Sequence, residues 1–252
     1  MFRLIQYFMD RLITLFSRDA NKAFLDNASF PWISRIEGNW LVIRDEFDRV
    51  MLERDGIPTV EDISEDGNLG ADRKPMSKGP EWKWFFLYGY GHKVEDNCIR
   101  CPKTTELVES IPGMNGAIFA ILAPGKHIPP HRGLYKGLLR YHLGVRIPGA
   151  AGLCRITVGG ETRAWQESRG FVFDDTYTHE VWNESDEHRV VLMIDIERPL
   201  SLPLAMVNRM VLRWITSTRY ITDAIERVRT SKDRGLQAHT DSRATAGTGG
   251  LS

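Results

Sequence analysis

Cysteine is scarce in this chain, and so is net charge. Three cysteines in 252 residues cannot build the disulfide framework of a small secreted scaffold, and an odd set suits a reducing cytoplasm. The 33 basic side chains are balanced by 33 acidic ones. That balance leaves no electrostatic footprint for DNA or RNA, so no nucleic-acid partner is expected. Long apolar runs are missing as well: nothing approaches the roughly 18–20 residues that a spanning helix needs. The start is basic and apolar, but Asp10 and Arg11 interrupt it and no small-residue cleavage site follows, which argues against a secretory signal. A cytoplasmic protein is expected, 42% hydrophobic and 26% charged, in the ordinary range of soluble domains. Cys98 and Cys101 form a lone CxxC with Cys154 left over. One such pair without a second is a weak zinc signal, and a zinc-binding protein stays open as an alternative.

Hydrophobic periodicity divides what is present. Residues 1–28 are expected to form an amphipathic N-terminal helix, because Ile5, Phe8, Met9, Leu12, Ile13 and Phe16 recur at helical spacing. Such a helix could lie on a membrane surface or pack on the domain. Trp40–Glu53 reads as a helix with Trp40, Val42, Ile43, Phe47, Val50 and Met51 apolar, and residues 60–80, rich in Asp, Gly, Lys and Pro, read as an exposed loop. WKWFFLYGYG (82–91) reads as an aromatic strand, and Thr104–Ser110 as a short helix stopped by Pro112. Seven short β-rich runs then follow one another from 115 to 198, separated by Pro-Gly, Gly-Gly and Asn-Glu-Ser turns. That spacing without a helical interval predicts a mainly β fold, a jelly roll. After Pro203 the period returns to 3.6, predicting a C-terminal amphipathic helix over 201–229. Its stripe is Val207, Met210, Val211, Trp214, Ile221, Ile225 and Val228, with arginines elsewhere. Residues 230–252 have little to bury and are expected to be a disordered tail.

The chemistry-bearing residues cluster in the β-rich part. His131 stands in KHIPPHRGLYKGLLRYHLGV and His179 in FVFDDTYTHEVWN, 48 residues later, enough chain to cross a barrel and return to the same end. Two neutral imidazoles at a barrel mouth are good ligands for Fe(II), Zn(II) or Cu(II). Arg140 and His142, two residues apart on one strand, share a face. Arg189 opens the last apolar strand, directly before VVLMI.

PPHRG, RYHLGVRIP, FDDTYTHEVWN and HRVVLMIDIERP together resemble the aspartyl/asparaginyl β-hydroxylase family, iron- and 2-oxoglutarate-dependent dioxygenases built on a double-stranded β-helix. The likeness covers about residues 80–200. NWLVIRDEF, EWKWFFLYGYG and CPKTTELVESIPG extend it toward the bacterial branch that hydroxylates acyl chains of lipid A or ornithine lipids. The resemblance implies a dioxygenase domain over 29–200 with its jelly-roll core at 115–198. It implies His131 and His179 as ligands of Fe(II), with 2-oxoglutarate and O2 as the other reactants. Arg189 matches the arginine that receives the distal carboxylate of 2-oxoglutarate, with His142 assisting and Arg140 beside the cosubstrate; bidentate guanidinium recognition suits that role. One position departs from the usual facial triad, which wants a carboxylate two residues after the first histidine. This chain has Gly133 there. Animal members of the family similarly lack that carboxylate, with water in its place, whereas lipid A hydroxylases keep an Asp. The place is open to water or a halide, and Asp175, four residues before His179, could reach the metal through water.

The expected function is hydroxylation of an unactivated C–H of a lipid acyl chain, with Trp82, Trp84 and Tyr135, and also Tyr88 and Tyr90, as candidate channel residues. The alternatives are β-hydroxylation of aspartyl or asparaginyl residues in a peptide or small substrate, and a non-catalytic cupin-like metal-binding protein. The terminal helices make peripheral contact with the inner face of the membrane a further expectation.

Overall fold

A computed structural model describes residues 2–63, 81–219, 221–228 and 230. Its helices are α1 (Phe2–Phe16), α2 (Ile33–Gly38), α3 (Trp40–Met51), α4 (Val60–Ile63), α5 (Glu95–Arg100), α6 (Pro102–Glu109) and α7 (Leu202–Thr216). Its strands are β1 (Phe24–Leu25), β2 (Trp82–Gly89), β3 (His92–Lys93), β4 (Met114–Leu122), β5 (His127–His131), β6 (Leu138–Arg146), β7 (Cys154–Val158), β8 (Glu161–Ala164), β9 (Gly170–Phe173), β10 (His179–Asn183) and β11 (Arg189–Glu197). They form two antiparallel sheets, in the orders β1-β9-β6-β11-β4-β2-β3 and β5-β10-β7-β8. This is the double-stranded β-helix, mainly β and flanked by helices.

Strand periodicity decides what the barrel contains. In the larger sheet, Phe119 and Ile121 of β4, Tyr141 and Leu143 of β6, and Leu192 and Ile194 of β11 face outward into one apolar cluster with α2, α3 and α6. The alternate residues, Ile118 and Ala120 of β4 with Val191 and Met193 of β11, face inward onto the smaller sheet. Both faces are therefore covered, which explains near-continuous apolar runs such as VVLMI in an antiparallel sheet. The same alternation carries Arg140, His142, Arg189 and Asp195 into the barrel, since each is spaced by two from an inward neighbour.

Several expected boundaries move. The N-terminal helix ends at Phe16 rather than 28, and Phe24 and Leu25 pair with Phe173 and Val172. The strand at 82–89 pairs along β4, so the jelly-roll sheet begins before residue 115. Residues 60–63, expected in an exposed loop, form α4 with Val60 and Ile63 buried. Residues 64–80 of that loop lie outside the described residues, as does the expected tail apart from residue 230. β5 is an additional strand. Pro129 and Pro130 conceal it in the sequence, yet they are tolerated because β5 is an edge strand and proline lacks only an N–H that the ladder there does not need.

The terminal helices bury different faces from those expected. In α1, Met9 and Ile13 are buried while Phe8 and Phe16 are exposed. The C-terminal helix breaks after Thr216 and resumes over 221–228. Asn208, Leu212 and Ile215 are its buried residues, whereas Val207 and Met210 face outward. α1, α7 and 221–228 share one apolar cluster containing Met9, Ile13, Tyr135, Leu212, Ile215 and Ile225. Among the described residues no helix is long and apolar enough to cross a membrane.

The layer outside the larger sheet should dominate stability. Phe47 of α3 is fully buried and stacks on Phe119 with ring centroids 4.3 Å apart. Phe47→Ala is expected to lower unfolding free energy by about 3–5 kcal/mol, from lost transfer energy and the cavity left behind. Urea unfolding followed by circular dichroism measures this. A loss below about 1 kcal/mol would mean that the α3 layer is not part of the cooperative core.

Candidate active site

His131 ends β5 and His179 begins β10, and the two are antiparallel partners across the smaller sheet. Their rings lie with centroids 4.1 Å apart at 54°. Each Nδ1 is beside a backbone carbonyl two residues upstream: His131 with Pro129 O at 2.8 Å and His179 with Tyr177 O at 2.9 Å. A carbonyl only accepts, so each Nδ1 carries the proton and donates it, and each Nε2 keeps its lone pair. That is the tautomer of a metal-ligating histidine with its outer nitrogen already fixed. Burial and then the neighbouring His131 push the His179 pKa well below the ordinary value, so its ring is neutral at neutral pH.

Gly133 follows two residues after His131, and the space beside it is taken. A Cβ built there would meet the Asp175 carboxylate at 2.2 to 2.3 Å, a distance no real pair of atoms tolerates. Gly133 N–H also donates to Asp175 O at 2.7 Å. The space that a side chain at position 133 would fill is thus taken by the carboxylate of Asp175, from the turn before β10. Asp175 is ion-paired with Arg140 at 3.2 Å, and Arg140 makes two further bonds to Asp195 at 2.7 and 2.9 Å. Burial pushes the Asp175 pKa up to about 6 against the pull of Arg140. Burial opposes the charge of Arg140, but Asp195 and Asp175 hold its pKa above the ordinary arginine value. Arg140 therefore has its charge already met by two carboxylates, Asp175 and Asp195.

The turn that carries Asp175 is itself anchored. Asp174 is fully buried and accepts from Lys136 Nζ at 2.7 Å, from Arg198 Nη2, and from the Thr176 N–H at 3.0 Å. Sequence reasoning missed Asp174, Lys136, Arg198 and Asp195. Only Asp195 left a signal: it lies six residues after Arg189 and so on the same face of β11, opposite Arg140 in register.

Arg189 is different. It is 2% exposed, its guanidinium stands over the Trp165 ring at 4.6 Å, and its Nε has no hydrogen-bond partner. Burial pulls its pKa down to about 10, with only Cys154 acting the other way. Beside it, both ring nitrogens of buried His142 lack partners, as does Trp165 Nε1. Burial, then Arg140 and Arg189, hold His142 well below its ordinary pKa and hence neutral. A buried cation and three buried polar nitrogens without partners are a costly arrangement in an isolated protein. They are what an anion with two oxygens would complete.

All these groups open into one cavity. His131, His179, His142, Arg140, Arg189 and Asp175 line it, and so do the candidate channel residues Trp82, Trp84, Tyr90 and Tyr135. Tyr88 does not: it packs on the outer cluster and its hydroxyl bonds Glu109. Beyond the polar end the walls are apolar, continuing to Leu212, Ile215, Ile225 and Val228. The CxxC stands apart. Cys98 and Cys101 are buried in the outer cluster, Cys98 Sγ donates to Leu87 O, and burial raises both thiols, Cys101 to about 12. These are packed thiols rather than thiolate ligands. Among the described residues no group of three or more His, Cys, Asp or Glu could hold a metal, so of these residues the two histidines are the ones that would hold it.

A family model described as aspartyl/asparaginyl β-hydroxylase matches residues 37–199. The ornithine lipid ester-linked acyl 2-hydroxylase of Rhizobium tropici is 39% identical over 211 residues, covering 84% of this chain and 73% of that protein. The aspartyl/asparaginyl β-hydroxylase of Homo sapiens is 34% identical over 176 residues, 68% of this chain but only 22% of that protein. Among solved structures, the cupin domain of a transcriptional regulator from Enterobacter cloacae aligns with 47% of this chain and 98% of that chain, at 15% identity and a TM-score of 0.33.

The fit of Asp175 against Gly133 gives a direct test. Gly133→Ala should destabilise the fold by about 1–3 kcal/mol, the cost of overpacking a filled site. It should also weaken metal binding, because the Asp175 turn leads to His179. A thermal melt and a Co(II) titration of wild type and variant measure both. An unchanged melting temperature would show that the carboxylate does not occupy that space.

Proposed function

The chain belongs to the aspartyl/asparaginyl β-hydroxylase family, and we propose that it is an Fe(II)- and 2-oxoglutarate-dependent hydroxylase of an unactivated C–H in a lipid acyl chain. The observation that carries the proposal is Arg189, a buried cation without a carboxylate partner among the described residues, beside a neutral His142 whose ring nitrogens are also unmet. A cupin-like metal binder without a cosubstrate has no use for such a pair. A dicarboxylate satisfies both, with one carboxylate reaching the metal and the other received by the guanidinium fork.

His131 and His179 would hold Fe(II) through Nε2, their rings oriented by the carbonyls of Pro129 and Tyr177. When bound, the metal with 2-oxoglutarate and O2 supplies the oxidation, one oxygen atom going to succinate as CO2 leaves and the other to the substrate C–H. The residues of this chain position and exclude. Arg189 and His142 fix the cosubstrate. Asp175, held by Arg140, lies beside Gly133 and would accept a hydrogen bond from a water bound to the metal. Trp82, Trp84 and Tyr135 exclude bulk water from the cavity. No side chain is required as a strong acid or base, and none of the carboxylates in the cavity is placed for that role, since Asp175 and Asp195 are tied to Arg140.

The apolar extension of the cavity supports an acyl chain as substrate, in line with the bacterial relative. Anaerobic Fe(II) protein given 2-oxoglutarate, then O2, with a lipid extract and separately with aspartyl peptides, should add one oxygen to the lipid, as read by mass spectrometry. Oxygen added only to the peptide would replace the substrate assignment. Arg189→Ala should weaken 2-oxoglutarate binding about 30-fold to a few thousandfold while sparing metal affinity, corresponding to about 2–5 kcal/mol for a buried charge-assisted pair. Arg189→Lys should recover only part of that loss. Calorimetric titration of the anaerobic protein measures the change, and equal affinities in wild type and Arg189→Ala would place the clamp elsewhere.

A further inference from the structure

Exposed apolar side chains are concentrated on one part of this molecule. Of the thirteen large apolar residues exposed among the described ones, nine belong to α1 and α7. In α1, Leu4, Phe8 and Leu15 are 68 to 74% exposed on a single helical face; in α7, Leu202, Met206 and Met210 are 59 to 74% exposed on another. The buried faces of both helices meet in one cluster, so the two exposed stripes flank the same buried seam. Helices normally turn such stripes inward. These two bury one apolar stripe and leave a second uncovered, and a patch of this kind marks an interaction surface.

The charges carried by the two helices are mainly basic, with Arg209 paired to Glu197 at 2.9 Å. Residues 2–18 contain Arg3, Arg11 and Arg18 against Asp10, and residues 202–219 contain Arg209, Arg213 and Arg219 with no acidic residue. Asp10 is turned inward, where its carboxylate accepts the Lys136 N–H at 3.2 Å. Neither of the other two segments is rich in apolar side chains: residues 64–80 carry only Leu69 and Met76 as large ones and 231–252 only Leu236 and Leu251. A second copy meeting the patch by a two-fold axis would set arginines against arginines. Apolar side chains rimmed by arginine suit an anionic bilayer surface, with the apolar groups inserted and the guanidinium groups at the headgroups.

The same helices hold one wall of the cavity. Between His131 and β6, the segment 133–137 is bonded to both. Gln6 Nε2 donates to Leu134 O, Asp10 accepts from Lys136 N–H, Tyr135 O–H donates to Asn208 Oδ1 at 2.7 Å, and Asn208 Nδ2 donates to Gly137 O at 3.0 Å. The inner side of α7, through Leu212 and Ile215, lines the cavity itself. We propose that the outer faces of α1 and α7 form an anionic-membrane docking surface that sets the cavity mouth against the bilayer, so that an acyl chain enters past α7 without crossing water. The docking stands on the exposed faces and their charge, while the delivery of an acyl chain rests on the function proposed above.

Sedimentation of the full chain with phosphatidylcholine vesicles, and with vesicles that also contain phosphatidylglycerol, tests the docking. Wild type should bind the anionic vesicles more tightly, and less so as salt is raised. Phe8→Glu with Met210→Glu, and separately Arg11→Glu with Arg213→Glu, should each weaken binding about tenfold or more. Circular dichroism and the Fe(II) and 2-oxoglutarate titration should be unchanged, because none of these four residues lines the cavity. Failure of wild type to bind either vesicle, or equal binding by both variants, overturns the proposal. So does a concentration-dependent dimer that Phe8→Glu with Met210→Glu dissolves. The titration separates the two ideas: docking can fail while cosubstrate binding persists, and cosubstrate binding can fail while docking persists.

Discussion

A guanidinium that is 2% exposed and has no carboxylate against it among the described residues is the constraint around which this barrel is arranged. Every other deeply buried charge near it is neutralised by the chain. Asp174 is shared by Lys136 and Arg198, and Arg140 is shared by Asp175 and Asp195. Taking charges out of water is tolerable when partners and hydrogen bonds accompany them, and strongly destabilising when one partner is missing. Arg189 is therefore retained at a cost to stability, offset in part by the face of Trp165. That cost is recovered when an anion binds, so ligand binding and stability are coupled.

Gly133 and Asp175 show the same logic in steric form. A carboxylate two residues after His131 would be attached to the strand end and aimed by its own backbone. Here that space is taken by Asp175, from the turn before His179, and only a residue without Cβ leaves room for it. Its direction is then set by Arg140 and by the buried Asp174 network rather than by the strand. Fixing one end of the turn through Asp174 and the other through the His131–His179 strand pairing places both histidines and the carboxylate at one barrel mouth. Rigid positioning of this kind is what a site needs when the chemistry belongs to a bound group.

Much of this was legible in the sequence because strand periodicity is strict. The alternation that marks 138–146 and 189–197 as strands also assigns Arg140, His142 and Arg189 to one face, and the structure has them lining one cavity. β5 was not legible, since two prolines mask an edge strand. The Asp174 network was not legible either, because an aspartate pair followed by Thr and Tyr reads as a solvated turn, and Lys136 and Arg198 are distant in sequence. Helical stripes misled in α1 and α7. A helix with apolar residues on most of its circumference gives no unique inward face, and the side facing the core was fixed by Asn208 and the 133–137 segment, which periodicity does not see.

The central claim is that the two histidines, Arg189 and His142 together hold one metal and one dicarboxylate. The most direct measurement is a crystal structure of the protein grown anaerobically with Fe(II) and 2-oxoglutarate, with anomalous diffraction to locate the metal. The expected result is a single metal on Nε2 of His131 and Nε2 of His179, with the far carboxylate of 2-oxoglutarate on the Arg189 guanidinium. A metal found at Cys98 and Cys101, or a dicarboxylate bound away from Arg189, would contradict it.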